Sequence, residues 1–128
     1  MISYATFGVN DRTESRRFFE ATLKPLGYKK FLDDGGSIAF AFEGNPKNPG
    51  TIWIVAPFNK EPAAPSNGTM FGFDAPSQAA VREFHAAALA NGGTCEGEPG
   101  IREAYGPEFY IAYVRDPVGN KLAAVCRK

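Results

Sequence analysis

The chain repeats itself weakly at an offset of 66 residues. Shifted by that amount, Phe7 falls on Phe73, Arg16 on Arg82, Phe18 on Phe84, Ala21 on Ala87, Leu23 on Leu89 and Gly27 on Gly93. Both copies read strand, turn, helix, glycine, strand. A repeat of this kind sets the architecture before any other pattern does. It predicts two similar half-modules, and it places a site at matching positions where the halves converge.

Each half can be read in order. Residues 2–9, ISYATFGV, are apolar and β-prone, and Asn10-Asp11 offers a turn or a helix cap. A helix follows over Thr13–Leu23, with Phe18, Phe19, Leu23 and Leu26 on one face. Gly27 ends it. Strands are expected over 28–32, 37–42 and 51–56, the first two joined by the hairpin turn Asp33-Asp34-Gly35-Gly36. Residues 57–67, with three prolines, form an extended linker between half-module 1–56 and half-module 68–128. The second half opens with a strand over 68–74 and a helix starting near Pro76-Ser77 and running to about Ala90. A short strand over 94–96, a loop over 97–108 and strands over 109–114 and 121–126 complete it. The last two strands are joined by the turn Asp116-Pro117-Val118-Gly119-Asn120. The result is an α+β chain of two βαβββ half-modules in one domain, 1–128. Each half lays a helix on one face of a four-stranded sheet, and the open faces of the sheets form a cleft.

Bulk chemistry narrows the function. The 14 basic residues balance 14 acidic ones, which removes the electrostatic case for nucleic acid or an anionic membrane surface. No apolar run approaches the roughly 20 residues that span a bilayer. The first residues enter a strand pattern directly, so a cytoplasmic location is expected. The two cysteines, Cys95 and Cys126, are too few and too isolated for a disulfide framework or a zinc knuckle, and are read as free thiols.

The segments ISYATFGVNDRTESRRFFEATLKPLGYK, FDAPSQAAVREFHAAALANGG and FYIAYVRDPVGNKLAAV, in this order, resemble the vicinal oxygen chelate superfamily. That group includes glyoxalase I, bleomycin-resistance proteins and extradiol dioxygenases. The resemblance implies a divalent ion held by His, Gln or Glu on the first and fourth strands of each half. Those positions here are Tyr4 and Met70, which are 66 residues apart, and Trp53 and Ala123, which align when TIWIV is laid on KLAAV. None suits the ion: a thioether is a poor ligand for hard divalent ions, Trp has no free lone pair, and Ala offers nothing. One phenolate cannot hold a labile ion alone. With a single histidine in the chain, a two-His-one-carboxylate site is impossible. No metal or other cofactor is therefore expected.

Aromatic surface stands in the metal's place. Strand alternation puts Tyr4 and Thr6 on the open face, with Ala5, Phe7 and Val9 against the helix. Met70, Gly72 and Asp74 share the open face of the second half, and Trp53 and Val55 that of the first. Phe40, Phe42, Tyr110 and Tyr113 are further candidates whose facing the sequence leaves open. From the loop 97–108, Arg102 offers an anion clamp, Glu103 an acid or base, and Tyr105 a hydrogen-bond donor; the competing reading is a solvated loop with an Arg–Glu contact. Asp74 is read as a helix cap near Pro76, with a cleft carboxylate as the alternative. His85 corresponds to Phe19 and is read as a packed or interface-lining residue rather than a catalytic base.

The expected ligand-binding cleft is thus Tyr4, Trp53, Met70, Arg102, Glu103, Tyr105, Tyr110 and Ala123. Its expected occupant is a small aromatic or amphipathic molecule. The resemblance adds a homodimer. The competing functions are a glyoxalase-like lyase, isomerase or dioxygenase with a non-standard or metal-free site, and an interaction module in which the aromatic residues merely fill space.

Overall fold

The computed structural model describes residues Met1–Lys128. The first half contains β1 (Tyr4–Gly8), α1 (Arg12–Leu23), β2 (Tyr28–Asp33), β3 (Ile38–Phe42) and β4 (Thr51–Val55). The second contains β5 (Met70–Asp74), α2 (Gln78–Ala90), β6 (Thr94–Ile101), β7 (Tyr110–Arg115) and β8 (Lys121–Cys126). The sheets have equivalent orders, β1-β4-β3-β2 and β5-β8-β7-β6. In each, the first and last strands of the half pair in parallel and the other pairs are antiparallel. The two βαβββ modules of the repeat are therefore real.

Local chemistry explains the helix starts. The Asp11 side chain accepts the Glu14 N–H at 3.0 Å, and Ser77 Oγ accepts the Ala80 N–H at 3.0 Å. Each satisfies a backbone donor that the first turn leaves unpaired. Asp74 is not the cap of α2: three residues upstream of Ser77, its carboxylate pairs with Arg127 at 2.9 Å instead. The first helix does not stop directly at Gly27 either. A single 3₁₀ turn, Lys24–Leu26, intervenes, and Gly27 then reverses the chain at φ +90°.

The loop expected over 97–108 is shorter, because β6 continues to Ile101. Gly97, Pro99 and Gly100 are turn residues by composition, yet pairing with β7 overrides them. Register shifts between Cys95 and Gly97, and again between Gly97 and Gly100, absorb the misfit. Pro99 is tolerated because β6 is the outer strand of its sheet. The β7–β8 turn is organised by Asp116, which is buried. Its carboxylate accepts from the backbone N–H groups of Val118, Gly119 and Asn120 and from Asn120 Nδ2. Burial pushes its carboxyl above the ordinary value, and these four donors pull the other way.

Both helices lie between the two sheets. The helix-side residues of both halves form a single core of 22 buried residues that includes Phe7, Phe18, Phe19, Phe73, Val81 and Phe84. Phe7 meets Phe71 across the halves at 5.2 Å between ring centroids, and Tyr28 meets Phe73 at 5.8 Å. The open faces are left on the outside. Within one chain they do not cover each other.

Charged side chains tie α1 to β2 at the rim. Asp33 receives Arg12, Arg16 and Lys30, and Lys30 also pairs with Glu20 at 2.7 Å. The Arg12 guanidinium, aided by Lys30, holds the Asp33 carboxyl down at about 2. A depressed carboxyl stabilises the fold above its ordinary value of 3.8 and loses that contribution as pH falls toward about 2. Acid titration of Asp33→Asn should therefore show a shallower loss of stability across that window than the parent chain. Circular dichroism at stepped pH in urea reads this directly. Equal slopes would show that the cluster contributes nothing.

Candidate functional site

The open face of the first sheet is aromatic. Tyr4, Thr6 and Gly8 of β1 lie beside Thr51, Trp53 and Val55 of β4 in parallel register. Trp53 stacks edge-on against Phe31 at 5.8 Å and donates its indole N–H to Thr51 Oγ1 at 3.0 Å. That bond fixes the ring along the sheet and uses its one donor. Tyr4 is 63% exposed despite its ring, so a large aromatic surface stands uncovered. The adjoining linker extends this face. A groove of about 600 Å³ runs from Thr6, Gly8 and Val55 to Pro57, Phe58 and Ala64.

The open face of the second sheet is apolar at its floor and cationic above. Gly72 pairs with Ala123, and Ala123 with Tyr113, placing these three side by side. Ala123 is wholly buried under its neighbours, and Met70 at the edge strand is 42% exposed. Two cations lie over the Tyr113 ring: Lys121 Nζ is 5.2 Å from its centroid and the Arg102 guanidinium 5.7 Å. Arg102 is held by the Glu98 carbonyl at 2.7 Å. Arg115 on the same face is already committed, to Glu96 at 2.7 Å and to the Gly119 carbonyl. That contact holds the Glu96 carboxyl below its ordinary value.

The sequence-derived residues therefore separate into two groups. Tyr4 and Trp53 share one open face, and Met70 and Ala123 share the other, with Arg102 over it. Glu103 and Tyr105 lie in a 3₁₀ turn beyond β6, where Tyr105 is exposed and rests on Phe109 at 5.4 Å. Tyr110 corrects the expectation. It pairs with Cys126 on the helix side, packs against the core, and its hydroxyl accepts from Arg82 at 3.3 Å. Phe40 likewise belongs to the core. Sequence reasoning missed Lys121, although it is two residues from Ala123 on one strand and so shares its face. Phe31 carried no such signal, since a register shift between Lys30 and Leu32 turns it toward Trp53. The two halves do meet in a pocket of about 220 Å³, where Thr6 and Gly8 approach Thr69, Phe71 and Lys121.

Tyr4, Met70, Trp53 and Ala123 occupy the positions where the resemblance implies metal ligands. Tyr4 and Met70 supply one phenol and one thioether, Ala123 supplies nothing, and the Trp53 nitrogen carries a proton donated to Thr51. No helix is long and apolar enough to cross a membrane.

Two four-stranded sheets, each backed by a helix within a βαβββ module, define the vicinal oxygen chelate superfamily. Solved structures agree. A glyoxalase/bleomycin resistance protein from Albidiferax ferrireducens T118 is 40% identical over 100% of this chain and 99% of its own, with a TM-score of 0.86. A glyoxalase-related enzyme from Fulvimarina pelagi shares the fold at 16% identity over 98% of this chain and 87% of its own, TM-score 0.75. A lactoylglutathione lyase from Agrobacterium tumefaciens does so at 19% identity over 98% and 92%, TM-score 0.63. No protein-family model matches the chain, and no curated protein does. At 40% identity over its full length, the chain belongs to the glyoxalase/bleomycin resistance protein family.

Proposed function

We propose that this protein binds a small aromatic molecule carrying a negative charge, in clefts completed by a second copy of the chain and without the family's divalent ion. The observation that carries the reading is the chemistry of the two outward faces. One offers the exposed ring of Tyr4 beside Trp53 and Phe31. The other offers Lys121 and Arg102 over the Tyr113 ring. An arene fits the first face by stacking, and an attached carboxylate or phosphate fits the cations of the second. A two-fold dimer that laid the first face of each copy on the second face of the other would form two such clefts and cover both surfaces. The binding residues are then Tyr4 and Trp53 from one copy, with Met70 and Arg102 from its partner; Ala123, wholly buried, lies beneath that face and does not reach a ligand. Glu103 and Tyr105 stand at the mouth.

The test uses the single tryptophan as reporter. The protein should sediment as a dimer, and Trp53 fluorescence should respond to benzoates or aryl phosphates but not to uncharged arenes of the same size. At 100 times its dissociation constant such a ligand adds about 2.7 kcal/mol of stability. Read by the loss of that ligand-induced stabilisation, since one variant lacks the reporter, Trp53→Ala and the double variant Arg102→Ala/Lys121→Ala should each lose binding. Mixed dimers of the two should regain one working cleft of the two, because one cleft then draws both intact faces. A monomer, or mixed dimers with no recovery, would overturn the shared cleft. A response indifferent to ligand charge would overturn the role of the cations.

A further inference from the structure

A second constellation lies on the other side of the second sheet, away from these faces. His85 on α2 and Cys95 and Glu98 on β6 bring one nitrogen, one sulfur and one carboxylate together, with all ligand atoms within 4.8 Å of one another. His85 Nε2 lies 3.2 Å from Cys95 Sγ, Cys95 Sγ lies 3.7 Å from a Glu98 oxygen, and Nε2 lies 3.8 Å from the other. From these three atoms we infer that His85, Cys95 and Glu98 form a Zn²⁺ site, with solvent as the fourth ligand.

Geometry is the first argument. Tetrahedral zinc with bonds of about 2.0–2.3 Å separates its ligand atoms by roughly 3.3–3.8 Å. The sulfur–nitrogen separation lies beside that range, and the two carboxylate separations, each to a different Glu98 oxygen, lie at its upper end, so His85 and Cys95 can stay in place while the exposed Glu98 carboxylate turns one oxygen to the ion. The direction of approach is the second. In a Cys–His–acid catalytic relay, the thiol takes one ring nitrogen and the acid orients the ring through the other. Here the sulfur and the carboxylate both approach Nε2. Convergence on one point suits a shared cation. The donor set is the third: imidazole, thiolate and carboxylate are the ligands zinc takes, and magnesium and calcium reject the sulfur.

The fold builds the site deliberately. Residues 95 and 98 are three apart and would face opposite sides of a regular strand. The register shifts around Gly97 break that alternation and bring Glu98 round to Cys95. His85 reaches the site from the buried stripe of α2 with its side chain only 7% exposed, so its ring is already ordered, while Cys95 and Glu98 remain open to an entering ion. An ion there would clip α2 to the outer strand of the sheet.

The experiment titrates Zn²⁺ and Co²⁺ into the metal-free full-length protein under reducing conditions. One equivalent should bind, and the Co²⁺ form should show a thiolate charge-transfer band. Affinity should fall as pH is lowered, because protons compete for the thiolate and imidazole. Cys95→Ala removes a ligand at an exposed position. It should weaken binding by more than the about 10–100-fold that losing an outer partner costs, and abolish the band. Glu98→Gln should weaken binding and keep the band, while Cys126→Ala should change neither. In the parent chain, stoichiometric Zn²⁺ should protect Cys95 from alkylation. Unchanged binding in Cys95→Ala, a Co²⁺ spectrum without sulfur character, or alkylation indifferent to zinc would each overturn the site.

Discussion

Phe84→Ala should cost about 3–5 kcal/mol of folding stability, and Phe18→Ala a similar amount. These residues are repeat mates, 66 positions apart, and both are completely buried. Each projects from the middle of its helix into the single core that the two sheets share. Phe18 meets Phe19 edge-on at 5.1 Å, and Phe19 in turn meets Phe7 of β1 at 5.4 Å. Truncation removes the transfer free energy of the ring and leaves a cavity that two rigid sheets cannot close. A domain of this size has about 5–15 kcal/mol in total, so either variant should lie near its unfolding threshold. Urea denaturation followed by far-ultraviolet circular dichroism measures the loss. A cost below about 1 kcal/mol for both would mean that the helices are not wedged between the sheets. By comparison, Tyr4→Ala, at an exposed position, should leave stability nearly unchanged while removing a ring from the outward face.

The contrast between Phe18 and Tyr4 shows what was legible in the sequence. Period-two alternation separates Tyr4 from Phe7 and Met70 from Phe71 without further information, because strand geometry forces neighbours to opposite faces. The repeat then fixes the module and its strand order. Facing fails where the period is broken or the register is unknown. Phe31 turns at a shifted register, Glu98 is carried round to Cys95 by another, and Tyr110 and Tyr113 exchange roles depending on where β7 begins. Placing the strand over Tyr110–Arg115 puts Tyr110 inside and Tyr113 outside. The relation between the halves is also not local. Each module's sequence says that its sheet has a helix side and an open side. Whether two modules meet by helix sides or by open sides depends on contacts such as Phe7 with Phe71 and Tyr28 with Phe73, between segments more than 40 residues apart.

Gly93→Ala should be the most damaging glycine substitution, at about 3 kcal/mol, the upper end of ordinary overpacking. Its repeat mate Gly27 serves a different need. Gly27 sits at φ +90°, and an added Cβ there would meet chiefly the Phe42 ring edge at 2.7 Å. That ring is 44% exposed and can swing outward, so Gly27→Ala carries mainly the left-handed backbone cost of about 1–2 kcal/mol. At Gly93 a Cβ would lie 2.6 Å from the Arg115 carbonyl oxygen, 2.6 Å from Phe18 and 2.9 Å from the Ala88 carbonyl oxygen. Phe18 is locked in the core. The Ala88 oxygen accepts the Gly93 N–H at 2.8 Å, so retreat would break the bond that closes α2. Replacing Phe18 by Leu in the same chain would clear one of the three contacts and leave both carbonyls, so it should not rescue Gly93→Ala. Thermal and urea unfolding of the two glycine variants side by side decide the matter. If Gly27→Ala proves the costlier, the tight approach of α1 to the start of β6 is wrong. The order predicted here means that the repeat kept glycine at both sites for separate reasons: a chain reversal in one half, and contact between the halves in the other.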